Sequence, residues 1–445
     1  MLEALNTLLW GAGTLALILG TGAWLTLRTG GFPQRNLGWA LALSLGREAR
    51  RKGRGGVSPF GSLMTALAST VGTGNIVGVA AALVSGGPGA LVWMELAALL
   101  GLAAKFAECM LAVKYRHVRR DGTRWGGPMA VMETRLGPAG AVLGRFYALF
   151  ALLMAFAMGA MAQSGALADT FSAAFTLPRW RVGLVTAALA LTILLGGIRR
   201  IADISTVLVP VMALLYLGGG LAVILGNLRR LPEAVTLMLR CAVAPEAALG
   251  GALGIVTRRE ALRWGVARSV FSNEAGLGSA AITAACADTE DPVKQGLISM
   301  TGVFFDTMVI CAVTGLAICC SGTLGAADGN GHPLTGAALT LRAFETVLGP
   351  LAPWLIGAAL GLFAFTSVLG CAVQAETTAS YLLGPEAVRP CRVLYGLAVF
   401  AGAVIPMATV LQLADLANAL MAFPNLVCLL LLSDEIAGEC RRKDR

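Results

Sequence analysis

Ala68-Ser-Thr-Val-Gly-Thr-Gly-Asn-Ile76 and Phe271-Ser-Asn-Glu-Ala-Gly-Leu-Gly-Ser279 set glycines beside hydroxyl, amide and carboxylate side chains inside otherwise apolar runs. Glycine loosens helix, and hydroxyls, amides and freed carbonyls are oxygen ligands. Unwound backbone at membrane depth persists only where it lines a cavity or is buried in protein. Two such breaks at matching places in the halves of a chain point to a solute-transport site.

The surrounding composition demands a membrane. Of 445 residues, 57% are hydrophobic and 13% charged, with mean hydropathy +0.76; soluble domains carry about 25% charged residues. Apolar runs near 5–27, 59–85, 88–113, 140–168, 180–197, 204–226, 255–286, 294–319, 352–373, 390–408 and 411–433 predict an all-α polytopic protein of about eleven spans. The run 5–27 lacks a basic leader and a small-residue cleavage site, so it reads as a retained helix. The net charge of +9 sits largely in short loops and sets topology, which argues against nucleic acid as a partner.

Basic residues give the orientation. Arg28, Arg35, Arg47, Arg50, Arg51, Lys52 and Arg54 follow the first span, and Lys114, Arg116, Arg119, Arg120, Arg124 and Arg135 follow the third. Arg199 and Arg200 follow the fifth, and Arg441, Arg442, Lys443 and Arg445 close the chain. The expected topology has the N-terminus outside and the C-terminus cytoplasmic in a cell membrane. Arg229, Arg230, Arg240, Arg258, Arg259, Arg263 and Arg268 fall on a segment placed outside, so an external connection with a surface amphipathic helix is expected within 228–262. A short helix near 341–347 is expected in the loop 321–350.

Each break opens a group of five spans, and five is odd, so the second group runs inverted relative to the first. The expected organisation is one transporter domain over 1–445. It comprises a first helix and linker at 1–58, repeats at 59–226 and 255–433, a connection at 227–254 and a tail at 434–445.

Chemistry-bearing residues cluster on the breaks. Around Gly72 and Gly74, the half-helix starting near Asn75 would aim free N–H groups at an anion, while carbonyls of Ala68 and Val71 suit a small cation. Close packing through small residues is the alternative. Glu274 is ionisable within a span, so it either touches solute, pairs with Arg268 or braces the loosened backbone. Gln163 in span four could bond substrate or a neighbouring helix. Thr366 and Ser367 in span nine suit sodium or bond back to their own helix. Asp306 is a further intramembrane carboxylate, and Lys105 with Glu108, one turn apart, reads as a neutralising pair.

Other chemistries are excluded. Ten cysteines without a CxxC pair, and His117 and His332 as the two histidines, give no zinc site. Motifs for hydrolases and phosphate loops are absent, so the chain is not read as an enzyme, no organic cofactor is expected, and energy would come from an ion gradient.

Ser58-Pro-Phe-Gly61, Thr70-Val-Gly-Thr-Gly-Asn75, Gly86-Gly-Pro88, Lys114-Tyr-Arg116, Gly126-Gly-Pro128, Gly196-Gly-Ile-Arg199, the 271–279 string and Asn418-Ala-Leu-Met-Ala-Phe-Pro-Asn425 closely resemble the alanine or glycine:cation symporter family. The resemblance covers about 32–433. It implies a leucine-transporter-like fold, an extra first helix followed by two inverted five-helix repeats, with a small neutral amino acid and co-transported sodium as cargo. It implies Ala68, Val71, Thr366 and Ser367 for sodium, and Thr70, Thr73, Gly74, Asn75, Ser272, Asn273 and Gly276 around substrate; Gln163, Phe271 and Cys371 are expected beside them as further substrate-binding residues. Glu274 and Asp306 stand as structural or coupling carboxylates. A monomer would suffice. Family members usually carry Gly-Trp where Gly370-Cys371 stands here, a change expected to widen the pocket for a larger amino acid. The competing class is a passive channel or facilitator.

Overall fold

The computed structural model describes residues 6, 9–53, 56–119, 122–243, 246–248, 255–329 and 331–444. Arg54, Arg120, Arg445 and most of the expected connection beyond 243 lie outside them. The architecture is all-α apart from two short hairpins. Helix α1 is Ala12–Arg28 and α2 is Leu37–Leu45. Ser58 caps α3, Pro59–Thr70, by accepting from Gly61 N–H at 3.0 Å. Helices α4, Val77–Gly86, and α5, Gly89–Lys114, follow. Strands β1 (His117–Val118) and β2 (Arg124–Trp125) pair antiparallel.

Helix α6, Pro128–Met154, kinks at Gly137-Pro138 and passes through a π-helical turn, Ala155–Ala162, into α7, Gln163–Phe175. Then come α8 (Arg179–Leu194), α9 (Gly197–Gly226) and α10 (Leu231–Val243). Strands β3 (Glu246–Ala248) and β4 (Ile255–Thr257) form the second hairpin. Helix α11, Arg258–Asn273, opens on a capping box between Thr257 and Glu260, three residues later than the hydropathy run predicts. After the second break come α12 (Ser279–Ala285) and α13 (Pro292–Val303), and a π-helical turn at Phe304–Cys311 leads into α14 (Ala312–Ser321). The chain ends with α15 (Gly336–Leu348), α16 (Ala352–Leu383), α17 (Val388–Val404), α18 (Met407–Leu431) and α19 (Ser433–Asp444).

Against about eleven expected spans, seven helical stretches among the described residues are long and apolar enough to cross a membrane, or eight with the pair α3–α4, bent by 63°. The shortfall has a physical reason. Helices α1 and α8 have 17 and 16 residues, and α11 carries Arg258, Arg259, Arg263 and Arg268. The expected amphipathic surface helix is α10, whose buried Ala234, Met238, Cys241 and Ala242 recur at helical spacing.

The segments that the charge rule assigns to one side gather on one face. Lys294 pairs with Glu48 at 3.2 Å, Lys52 with Asp203 at 2.6 Å, and Lys443 with Asp291 at 2.6 Å; Arg124 pairs with Asp288. The tail helix α19 docks there through Lys114, which reaches Glu435 at 2.6 Å and Glu439 at 2.8 Å. Burial alone would push the Glu435 carboxyl up, but hydrogen bonds from Lys114 and Tyr115 hold it below the usual carboxylate range. A depressed carboxyl stabilises docking fully above its unfolded value of about 4.3 and loses that contribution as pH falls through the lower folded value. A nitroxide at position 438, where an added side chain meets open space, should therefore stay immobile from pH 7 down to about 4 and become mobile below it. Mobility rising near neutral pH would contradict this docking.

Candidate functional site

The first break follows from backbone geometry. Helix α3 stops at Thr70, Val71 and Gly72 are extended, and Thr73–Asn75 form a single tight turn before α4. Asn75 closes it: Oδ1 accepts the Gly72 N–H at 3.0 Å, replacing a partner that the lost helix would have supplied. The other end of the same amide ties in two further elements. Its Nδ2 donates to Ser272 Oγ at 3.0 Å and to Asp306 Oδ1 at 2.8 Å. Ser272 Oγ in turn donates to Asp306 Oδ2 at 2.6 Å, and Thr307 Oγ1 to the same atom at 3.1 Å. Asp306, fully buried on the second π-helical turn, thus gathers both broken segments around one carboxylate.

The second break is held from behind. Glu274 ends α11 with φ +53°, a left-handed conformation uncommon for a side chain of this size, and Gly276 and Gly278 have φ +87° and +81°. Glu108 Oε2 accepts N–H bonds from Gly276 at 3.2 Å, Gly278 at 3.1 Å and the Asn425 amide at 3.1 Å. Lys105 donates to the Glu274 carbonyl at 3.1 Å and lies 3.4 Å from Glu108. Asn273 donates to Thr307 at 3.0 Å and accepts from Ala275 N–H at 2.9 Å. The expected Lys105–Glu108 pair exists, but its greater task is satisfying the orphaned amides of 276–278.

A cavity of about 430 Å³ lies beside the first break, lined among others by Thr73, Gly74, Gln163 and Phe271. These four expected substrate residues therefore share one space; Thr73 Oγ1 and Gln163 Oε1 stand 3.5 Å apart. Asn75, Ser272 and Asn273 form the buried network behind it, and Thr70 and Gly276 flank the two breaks away from its lining. Cys371 is elsewhere: a side chain added to Gly159 would meet its Cβ at 2.2 Å, so it fills a helix–helix contact rather than widening the cavity.

Of the residues expected to hold sodium, Ser367 Oγ lies 3.5 Å from the Val71 carbonyl, and Ala68 is buried beside the same contact. Thr366 instead donates to its own helix, to Leu362 O at 3.0 Å and Phe363 O at 3.1 Å.

The cavity also holds residues that the sequence motifs do not assign to it. Arg268 and Asp415 both line it and attract each other, and the Arg268 guanidinium sits 5.7 Å from the Phe271 ring centre. The Trp10 ring packs against Phe271 with centroids 4.5 Å apart and planes tilted by 34°, and its N–H donates to the Asp415 carbonyl at 2.9 Å. Arg268 therefore serves this mouth, and the Glu274 side chain bonds Ser279 instead. A guanidinium one turn before an aromatic inside a span is the sequence signal for this pair.

Comparison with known proteins agrees with this geometry. Residues 1–442 match the profile of the sodium:alanine symporter family. The chain is 43% identical to an uncharacterised transporter of Haemophilus influenzae over 99% of its own length and 95% of that protein. It is 40% identical to the sodium/alanine symporter AgcS of Methanococcus maripaludis over 99% and 96% respectively. Among solved structures it resembles MhsT, crystallised with L-phenylalanine, at TM-score 0.58 and 14% identity, covering 84% of this chain and 88% of that one. That likeness establishes a leucine-transporter-like fold. With the family match running through both breaks and nearly the whole chain, the protein belongs to the sodium:alanine symporter family.

Proposed function

We propose that this symporter takes up a small neutral amino acid of the alanine or glycine class together with sodium, by alternating access between the two faces of the membrane. The observation that carries the reading is the convergence of Thr73, Gly74, Gln163 and Phe271 on one cavity at the start of a half-helix. Free N–H groups and the positive dipole end of α4 suit the substrate carboxylate. Gln163 and acceptors from α11 suit its ammonium, and Phe271 bounds the side chain. Sodium would sit between α3 and α16 on the carbonyls of Ala68 and Val71 and the hydroxyls of Ser367 and Thr366, the latter after a rotamer change. Sodium there fixes the loosened backbone, so ion and substrate favour the same state and bind with positive coupling. The repeats correspond to 59–226 and 255–433, the N-terminus is outside, the tail is cytoplasmic, and a monomer suffices.

Proteoliposomes carrying the protein should accumulate alanine against its gradient only when sodium is higher outside. Accumulation indifferent to sodium would refute the coupling, and equilibration without accumulation would indicate a facilitator. Ser367→Ala alone should lower sodium-driven uptake by about tenfold or more, the equivalent of one charge-assisted contact. Adding Thr366→Ala should bring it to background. Unchanged uptake in the double variant would remove both from the sodium site.

A further inference from the structure

A second cavity, of about 280 Å³, shares no residue with the substrate cavity and lies between α2, α3, α9 and the second π-helical turn. Along α3 it is lined by Phe60, Met64, Leu67 and, just past the helix, Val71, the spacing of one helix face. Ala213 comes from α9 and Phe305 from the turn. The lining is apolar but for Ser44 and Arg50. The Ser44 hydroxyl is already engaged, with Ala40 O at 2.8 Å and Thr301 Oγ1 at 3.1 Å. Among the described residues of the lining, Arg50 is thus the polar side chain left to meet an occupant. It stands at one end of the groove, its guanidinium 4.5 Å from the Phe60 ring centre.

Depth, charge and surroundings decide what fits there. From Phe60 to Val71 the chain climbs about 16 Å at the helical rise, close to half of a bilayer core about 30 Å thick. That is the depth of one leaflet's acyl chain. The groove opens sideways to lipid: Leu214, which lines it from the spanning helix α9, is 71% exposed. Its arginine end is the one that the charge rule assigns to the cytoplasm, and there Arg47 and Arg51 are exposed beside Arg50. The carboxylates of Glu48 and Asp203 pair with Lys294 and Lys52 instead, so the three arginines keep their charge for an anion at the membrane surface. Juxtamembrane basic residues attract anionic headgroups. An apolar trough one leaflet deep with cations at its aqueous rim matches a chain with an anionic head, and does not match a soluble solute. The groove also touches the transport site from behind. The Val71 carbonyl faces Ser367 at 3.5 Å, and Phe305 precedes Asp306, the carboxylate that gathers both breaks.

We propose that this groove holds an acyl chain of an anionic phospholipid from the cytoplasmic leaflet, its phosphate on Arg50, and that the bound chain favours the arrangement in which Val71 meets Ser367, so that sodium binds more tightly. A ligand shifts a protein toward the state it fits. The effect on sodium rests on the symport reading above; the lipid site itself does not. The test compares dioleoylphosphatidylglycerol with dioleoylphosphatidylcholine, which share chains and differ in charge, added to delipidated protein in detergent. Phosphatidylglycerol should raise the melting temperature more. Arg50→Gln should lose that difference while keeping the gain common to both lipids, and Ala213→Trp, which fills the groove, should lose both. Equal stabilisation of the wild type by the two lipids overturns the anionic assignment, and a full response in Ala213→Trp overturns the site. Should Ala213→Trp fail to fold, phosphatidylglycerol with a photoreactive group at the chain end should label the wild type near Val71; labelling confined to other helices overturns the site. In proteoliposomes, phosphatidylglycerol should lower the sodium concentration that half-saturates alanine uptake by about fivefold relative to phosphatidylcholine alone, the small end of ordinary coupling between sites. An unchanged sodium dependence overturns the coupling alone. No alanine uptake in either lipid overturns the symport reading, and the melting and labelling results still decide the lipid site.

Discussion

Replacing Asn75 with alanine should bring sodium-driven uptake to about 1% of wild type or less while the protein still reaches the membrane. The amide closes the first break on the Gly72 N–H and donates to Ser272 and Asp306. Alanine leaves a buried N–H orphaned, at about 1–3 kcal/mol, and removes a bond to a charged group worth about 1.5–3 kcal/mol. About 3 kcal/mol taken from the binding-competent geometry is about a hundredfold in rate or affinity. Asn75→Asp keeps the acceptor for Gly72 but sets a second carboxylate against Asp306, so it should be no better. Initial uptake rates, with ligand-induced thermal shifts as the binding readout, decide the matter. Uptake within twofold of wild type would show that the network does not govern the site.

The second large effect is expected at Glu108. Glu108→Ala should destabilise the protein by about 3–5 kcal/mol, because Lys105 is left as an uncompensated buried charge. The double variant Lys105→Met, Glu108→Met separates charge neutralisation from backbone support. A mere neutralising pair can be exchanged for apolar residues at little loss, often with a gain. Here the double variant still strands the N–H groups of Gly276 and Gly278, so it should remain at least about 2 kcal/mol less stable than wild type. Unfolding in detergent, followed by monodispersity on size exclusion, measures this. Full stability in the double variant would reduce Glu108 to a counter-charge for Lys105.

Both breaks were legible in the sequence because glycine interleaved with polar residues is poorly suited to a plain spanning helix. The fold followed from their spacing and from the basic loops, which do gather on one face. What stayed hidden had tertiary causes. A π-helical turn has no residue signature, only one extra residue in the turn, so nothing in Phe304–Cys311 announced that Asp306 would face both breaks. Lys105 and Glu108 looked self-sufficient at their spacing, and only the folded chain brings Gly276 and Gly278 to them. Arg268 read as a topological anomaly because its partner, Asp415, lies far along the chain. Cys371 misled for a different reason: a family position transfers, but the volume beside it depends on Gly159, which the string around Cys371 does not contain.

The contact between α3 and α16 has a further consequence. A methyl at Gly370 would lie 2.4 Å from the Ser69 nitrogen, and one at Gly72 would lie 2.9 Å from the Ser367 hydroxyl. Helix α16 is thus set at a fixed gap from the end of α3 and from the extended backbone after it by residues that offer no side-chain ligand. Carbonyl and hydroxyl oxygens bind any small cation to some degree, and what discriminates among them is how far apart the oxygens are held. These glycines act as the jaws of a caliper, so the choice between sodium and its neighbours of larger or smaller radius would be written in packing, at positions no ion touches.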